Sequence, residues 1–494
     1  MQYIVRLFPE ISIKSKPVRN RLIRLLRQNI INVARARSLC VHIRPQWDKL
    51  LVYAEEGQNS GLAGQGELSF AMEAMLSEIP GIHSFLQVSE FPLSTLEDIY
   101  GHARPVYEPL IEGHSFAVRV RRRGRHEFSS QQAEREIGEL FLKNARGASV
   151  NLTSPDVTVR IEIDSQRVFL ITGTREGLGG FPVSSQGEAL ALVSGGFDSG
   201  VAAYRAIRRG LRVHYVFFNM GGTAHELGVK QECYYLWHRY ASSHRVRFTA
   251  IPFDKIVGQI LEKTHHGVRG VILKRMMVRV AGEIAKKHGI GAIVTGESIG
   301  QVSSQTLVNL GHIDRVSPVM VLRPLIMSDK QEIVDEAAAI GTQDFALVMP
   351  EYCGVISDHP NVAPSEGFVE EQEALMDRDL VEQALEGAKA SDIRDLPGEA
   401  EGLQTQVEVV ASPAPGEVVI DIRAPDEARL SPLDMEGVQC LKLPFYKVIS
   451  SFGELDRLKT YVLYCDQGIM SQMQARQLKE MGHHNVKILR PAGH

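Results

Sequence analysis

The chain has 494 residues, 44% of them apolar and 23% charged, a globular balance that excludes wholesale disorder and, at about 150 residues per domain, implies roughly three to four domains. Its 55 Lys/Arg against 59 Asp/Glu give a net charge of −4, which excludes a uniformly basic nucleic-acid coat. That sum hides an asymmetry: residues 1–50 hold eleven Lys/Arg against only Glu10 and Asp48, a net of +9, which leaves 44 − 57 = −13 for the rest.

The first module opens on the alternating strand YIVRLF, followed by a helix near Val18–Val33 and a strand near Leu51–Tyr53. Lys14, Lys16, Arg19, Arg21, Arg24 and Arg27 lie on this helical stretch with almost no acids beside them, whereas solvated helix faces usually mix both signs. An α+β module follows over residues 63–175. It has a helix near Phe70–Glu78, a turn at Pro80-Gly81, a strand Ser115–Arg121, a helix near Ser129–Lys143 and strands Thr158–Ile163 and Arg167–Thr172. Five arginines, Arg119, Arg121, Arg122, Arg123 and Arg125, crowd one strand end, and guanidinium forks suit a phosphate backbone. Neutralisation by Glu127, Glu134 and Glu136 is the competing reading.

Residues 183–363 alternate strand (ALALV, VHYVFFN, VRFTAIPF, AIVTG) with helix, the pattern of a doubly wound parallel sheet. Residues 364–410 carry thirteen acids against three bases and read as an acidic helical linker. From residue 411 to 494 the strands VVIDI, YVLYC and NVKIL form a small α/β domain of their own.

Two loops carry chemistry. After the strand ending at Val193 comes Ser194-Gly195-Gly196-Phe197-Asp198-Ser199, opening a helix. Its glycines free backbone N–H groups at a helix N-terminus for an anion, and Ser194 and Ser199 add hydroxyls. It is neither a Walker A loop nor GxGxxG. Asp198 beside bound phosphates requires either a bridging Mg2+ or a loop-ordering role. Cys465, at the end of YVLYC, precedes the loop DQGIM and a helix, a setting that lowers a thiol pKa; the alternative is a buried strand-end cysteine. Cys353, in MPEYCG, lies 112 residues upstream. Cys40, Cys233 and Cys440 read as structural, and His265-His266 and His483-His484 as exposed histidines without ligand partners.

Five scattered cysteines without a CxxC pair exclude a disulfide framework, a cysteine-rich zinc site and an iron–sulfur cluster. The amino terminus lacks a signal-peptide core, and no apolar run reaches the roughly 18 residues that span a bilayer. The expectation is a cytoplasmic protein without a membrane segment.

SGGFDS resembles the PP-loop of the ATP pyrophosphatases, which adenylate a carbonyl oxygen and release pyrophosphate. VVIDIRAPDE, with Asp421-x-Arg423, and the loop after Cys465 resemble a rhodanese domain, which carries sulfur as a cysteine persulfide. LFPEISIKSK, VRVRRRGRH, SGGFDSGVAAY, ILKRMMVR, TGESIGQVSSQT, MPEYCGVIS and YCDQGIMS stand in the order of the tRNA 4-thiouridine synthetase family, which is also tied to thiamine biosynthesis. The resemblance covers essentially the whole chain. It implies a ferredoxin-like domain (1–62), a THUMP RNA-binding domain (63–175), a PP-loop domain (183–363), a linker and a rhodanese domain (411–494).

It further implies ATP contacts at Leu192, Val193, Lys274, Gly296 and Gln305, with Mg2+ accompanying ATP and Asp198 in the loop. By the residues alone, Lys274 is either a phosphate ligand or a surface lysine, and Gln305 either a ligand to phosphate or base or a helix cap. The implied partners are tRNA, a cysteine desulfurase as persulfide donor, an external reductant and a sulfur-carrier protein of thiamine synthesis; dimerisation stays open. Two rivals are an adenylating enzyme acting on a small molecule and a sulfur-relay adaptor without catalysis.

Overall fold

The computed structural model describes residues 1–46, 48–55, 65–220, 222–349, 359–396, 407–423, 428–429, 432–433, 435, 437–465, 471, 474–475, 478–479 and 481–490. The chain divides into two units, Met1–Phe181 and Pro182–His494.

In the first unit the strands β1 (Gln2–Leu7), β2 (Val41–Pro45), β3 (Lys49–Ala54), β4 (Ile82–Pro92), β5 (Ser115–Arg123), β6 (Ser149–Val150), β7 (Val157–Asp164) and β8 (Arg167–Glu176) make one sheet, ordered β2-β3-β1-β4-β8-β7-β5-β6. The boundary expected at residue 62 lies outside the described residues, and elements on both sides of it share this sheet, since β1 pairs antiparallel with β4 from Tyr3↔Gln87 to Leu7↔Ile82. Pro17 starts the helix Lys16–Ala36, which buries Leu22, Ile23, Leu26, Ile30 and Val33 against Leu50, Val52 and Phe85. Lys16, Arg21, Arg24 and Arg27 are left exposed, whereas Arg19 is buried with the apolar face. The helix Leu96–Ile111 was absent from the sequence expectation. It holds despite Pro105 and Pro109, because a Thr95/Asp98 capping box fixes its start and Ile99, Tyr100, Ala103, Tyr107 and Ile111 are buried.

The second unit holds two sheets. β9 (Glu188–Val193), β10 (Arg212–Asn219), β11 (Arg247–Pro252), β12 (Ala292–Val294) and β13 (Met320–Leu322) are parallel, ordered β13-β12-β9-β10-β11. The apolar runs of β9 to β12 are buried on both faces, as parallel strands require, while the edge strand β13 leaves Met320 exposed. An antiparallel edge strand, β14 (Lys389–Asp392), pairs with β11. The acidic residues up to 396 are therefore a layer of this domain and not a tether. Val369, Met376, Leu380 and Ala384 enter its core, and Arg275 and Arg279 pair with Glu373.

The other sheet, β15 (Val409–Val410), β16 (Val418–Asp421), β17 (Gln439–Lys442), β18 (Tyr461–Tyr464) and β19 (Val486–Leu489), is all parallel in the order β15-β19-β18-β16-β17.

Candidate active site

The polypeptide leaves β9 toward β10 on one side, while β12 flanks β9 on the other. That makes a topological switch point at the carboxyl ends of β9 and β12, where open α/β sheets bind ligands. Gly195 turns the chain there at φ +83°, a conformation costly for any residue with a Cβ. Gly196 is the N-cap of the helix Phe197–Arg208, and its N-terminus has no side-chain cap. The first N–H groups of that helix are thus presented to an anion. Ser199 Oγ donates to the Gly196 carbonyl (3.1 Å), accepts the Ser194 N–H (3.3 Å) and lies 3.4 Å from Ser194 Oγ. Gly296, just beyond β12, packs on this loop so closely that a Cβ there would sit 2.6 Å from the Asp198 carbonyl carbon.

Asp198 is gripped from both sides. Lys330 Nζ is 2.9 Å from Oδ1 and Gln301 Nε2 donates to Oδ2 at 2.8 Å, with Lys330 also over the Phe197 ring. A second charge cluster lies on the same sheet edge. Glu297 accepts from Lys274 (2.9 Å), Arg323 (2.7 Å) and Thr295 (3.1 Å). Burial pushes its carboxyl up, but the two cations outweigh that and hold it below the usual carboxylate range. Lys274 is therefore half-buried and paired with Glu297 instead of standing as a free surface lysine. Gln305 is buried and its Oε1 has no hydrogen-bond partner, so it keeps polar capacity at the site. Leu192 is half-buried and Val193 buried at the strand end.

Glu297, Gln301, Arg323 and Lys330 were not singled out from sequence. The usable signal was position: each follows β12 or β13, on the edge where SGGFDS sits. Among the described residues no group of three or more His, Cys, Asp or Glu forms a metal site. The Asp198 carboxylate, held by Lys330 and Gln301, is a single carboxylate and not by itself a metal-ion ligand set.

The carboxy-terminal loop is built on β16 and β18. Asp421 and Arg423 are both 2% exposed and form a bidentate pair at 2.9 and 2.7 Å. The guanidinium lies over Tyr464, the residue before Cys465. Cys465 is buried; its Sγ accepts the Ser471 N–H at 3.3 Å and lies 3.4 Å from Ser471 Oγ. An N–H pointed at the sulfur stabilises a thiolate or persulfide anion. Residues 466–470 and Cys353 lie outside the described residues. Cys233 is buried and Cys440 half-buried as expected, but Cys40 is exposed, since it follows the turn at Ser38 instead of entering the core.

In the first unit Arg119, Arg121, Arg123 and Arg125 are exposed and Arg122 half-buried. Two of the three acids proposed to neutralise them are used elsewhere: Glu134 accepts the Val120 N–H and Glu136 accepts from Gln132. Arg123 pairs with Asp48 at 3.6 Å.

Next to the loop helix, Glu232 is fully buried against Gly200 with neither carboxylate oxygen hydrogen-bonded. Burial raises its pKa from 4.5 to about 8. A raised native pKa gives stability that is fully present below pH 4.5 and lost as the pH climbs through about 8, since the unfolded chain has by then released the proton. Glu232→Gln removes this loss. Thermal melts of the full chain between pH 5 and 8.5 should show a flatter profile and a variant stabilised by about 2 kcal/mol at pH 8. Parallel profiles for the two proteins would refute a buried protonated carboxyl.

Family models match in three places: Thiamine biosynthesis protein (ThiI) at residues 184–377, THUMP domain at 94–172 and Rhodanese-like domain at 405–491. A protein of Tolumonas auensis named tRNA sulfurtransferase is 48% identical over 490 residues, covering 99% of this chain and 100% of its own. One of the same name from Pectobacterium carotovorum is 48% identical over 492 residues, with the same coverage. Among solved structures, a 4-thiouridine synthetase–RNA complex with bound ATP matches with a TM-score of 0.68 at 27% identity, over 79% of this chain and 99% of that one. On full-length identity and on all three domain matches, the chain belongs to the tRNA sulfurtransferase family.

Proposed function

We propose that this chain adenylates a uridine of tRNA and exchanges its O4 for sulfur carried as a persulfide on Cys465, giving 4-thiouridine. The observation that carries the reading is the pairing, in one chain, of an uncapped SGGFDS helix at a sheet switch point with a sulfur-bearing cysteine on a rhodanese loop. Mg2+·ATP, when bound, supplies an electrophilic α-phosphate and a pyrophosphate leaving group. The N–H groups of residues 197–199 and the hydroxyls of Ser194 and Ser199 hold that pyrophosphate. Leu192, Val193, Gly296, Lys274 and Gln305 line the nucleotide, and Asp198 with Lys330 brackets the phosphates. O4 of the base attacks the α-phosphate.

The terminal sulfur of the Cys465 persulfide then attacks C4, a C–S bond forms and AMP leaves with the C4–O bond electrons. The Cys353 thiolate attacks Cys465 Sγ and breaks the S–S bond. Its electrons stay on the sulfur of 4-thiouridine, and the resulting Cys353–Cys465 disulfide is returned to thiols by an external reductant.

A cysteine desulfurase loads Cys465, and the same persulfide serves a sulfur-carrier protein for thiamine thiazole synthesis. The arginine strand end binds the tRNA backbone as part of a THUMP domain spanning residues 63–175. No helix among the described residues is long and apolar enough to cross a membrane, and a tRNA substrate supports a cytoplasmic reaction.

ATP–pyrophosphate exchange tests the first half-reaction. We expect exchange only when tRNA is present. Exchange without tRNA favours a small-molecule adenylating enzyme, and none under either condition favours an adaptor.

A further inference from the structure

The helix Gly222–Leu236 lies where three parts of the second unit meet, and its residues four or fewer apart serve different ones. A Cβ on Gly228 would collide with Met349, which also packs on Gly195 of the anion loop (2.7 Å from a Cβ there). Met349 stands four residues before Cys353 in the chain. Gln231 accepts a hydrogen bond from Gln474 Nε2 at 3.4 Å, and Gln474 lies three residues after Ser471, whose N–H holds Cys465 Sγ. Tyr235 packs with Phe345 and with Phe445, the first residue of the helix Phe445–Ser451, at ring separations of 5.4 and 5.8 Å. Positions 228, 231 and 235 recur at helical spacing, so one face of one helix touches the anion loop's neighbour, the persulfide domain and the aromatic contact between them.

The Gln231–Gln474 contact is poorly suited to holding the domains together. Both side chains are 2% exposed, yet only one of two complementary bonds is made: Gln231 Nε2 and Gln474 Oε1 have no partner. A buried amide left half-satisfied costs stability, and a permanent core would place apolar groups there. Such a pair gains most by fixing register, because only one relative placement of the two domains lets the amides meet. The aromatic trio beside it supplies the adhesion, since Tyr235 and Phe345 join Phe445 in the apolar cluster of the carboxy-terminal sheet.

We propose that Gln231 and Gln474 are positioning residues that register the rhodanese domain on the PP-loop domain for sulfur delivery. The inference rests on the Cys465 persulfide being the sulfur source. It adds a specific face for the encounter and residues that touch neither nucleotide nor sulfur.

The test compares two sulfur sources on the full chain. In one, a cysteine desulfurase loads Cys465. In the other, sodium sulfide is supplied directly; HS⁻ displaces AMP from C4, forming C–S and breaking C–O with no redox partner. Gln231→Ala and Gln474→Ala should each slow persulfide-driven thiolation about tenfold, the size of a typical pairwise coupling between contacting residues. They should leave sulfide-driven thiolation and the amount of persulfide on Cys465 unchanged. The double variant should be no slower than either single one. Equal loss with both sulfur sources, no loss with either, or additive effects in the double variant would overturn the latch. Wild-type protein that thiolates from sulfide but never from loaded Cys465 would overturn instead the persulfide reading beneath it.

Discussion

Cys465→Ala and Cys353→Ala each abolish 4-thiouridine formation from a desulfurase-loaded chain, by on the order of a thousandfold or more, the scale on which loss of a covalent nucleophile is felt. The two fail differently. Cys465 sits at the end of β18 with the Ser471 N–H on its sulfur. Removing it removes the only atom that can carry the persulfide in the proposed scheme, so no 35S label from cysteine stays on the protein. Arg423 forms two bonds to Asp421 and lies over Tyr464, which fixes the strand end that carries Cys465. Cys353→Ala still accepts label on Cys465 and stalls after it, because nothing breaks the S–S bond to the product. Nucleoside analysis of the tRNA together with label on the protein separates the cases. Normal 4-thiouridine from either variant would end the relay.

How much of this was readable beforehand depended on whether a signal was local. β9 and β10 are contiguous apolar runs, and SGGFDS follows the first directly, so strand, loop and helix were legible from one short window. The helices of residues 366–386 were legible as an acidic helical linker, but their place in the core was not, because their acids mask a buried stripe of Val369, Leu380 and Ala384. Glu297 and Lys330 escaped for a different reason. Their partners are distant in sequence, Lys330 lying 132 residues from Asp198 and Arg323 26 from Glu297, and nothing local distinguishes such residues from ordinary surface charges. β4 was passed over because its alternating residues follow a Pro-Gly turn that reads as a loop, although Ile82, Phe85, Leu86 and Val88 are buried. Folding brings charges to a sheet edge that periodicity alone does not mark.

That geometry also sharpens what Asp198 does. Two roles were open from sequence: sharing a Mg2+ with the phosphates, or ordering the loop through backbone N–H groups. The structure gives the carboxylate side-chain partners, Lys330 on one oxygen and Gln301 on the other, while Ser199 ties the loop to itself. The loop's internal bonds thus run through Ser199, and the Asp198 carboxylate, already paired with Lys330, is the charge we propose acts at the phosphate end of the reaction. Asp198→Ala should lower tRNA-dependent ATP–pyrophosphate exchange on the order of a hundredfold or more, the cost of losing a preorganised electrostatic group, with Cys465 loading intact. Asp198→Asn, which keeps the shape and an acceptor for Gln301 but not the charge, should lose nearly as much. Extra Mg2+ should recover part of the loss in Asp198→Asn if the carboxylate helps hold the cation. Should Asp198→Asn retain most of the exchange, the carboxylate serves only as a hydrogen-bond acceptor within the loop's surroundings, and unchanged pyrophosphate release in Asp198→Ala would take it out of the chemistry altogether.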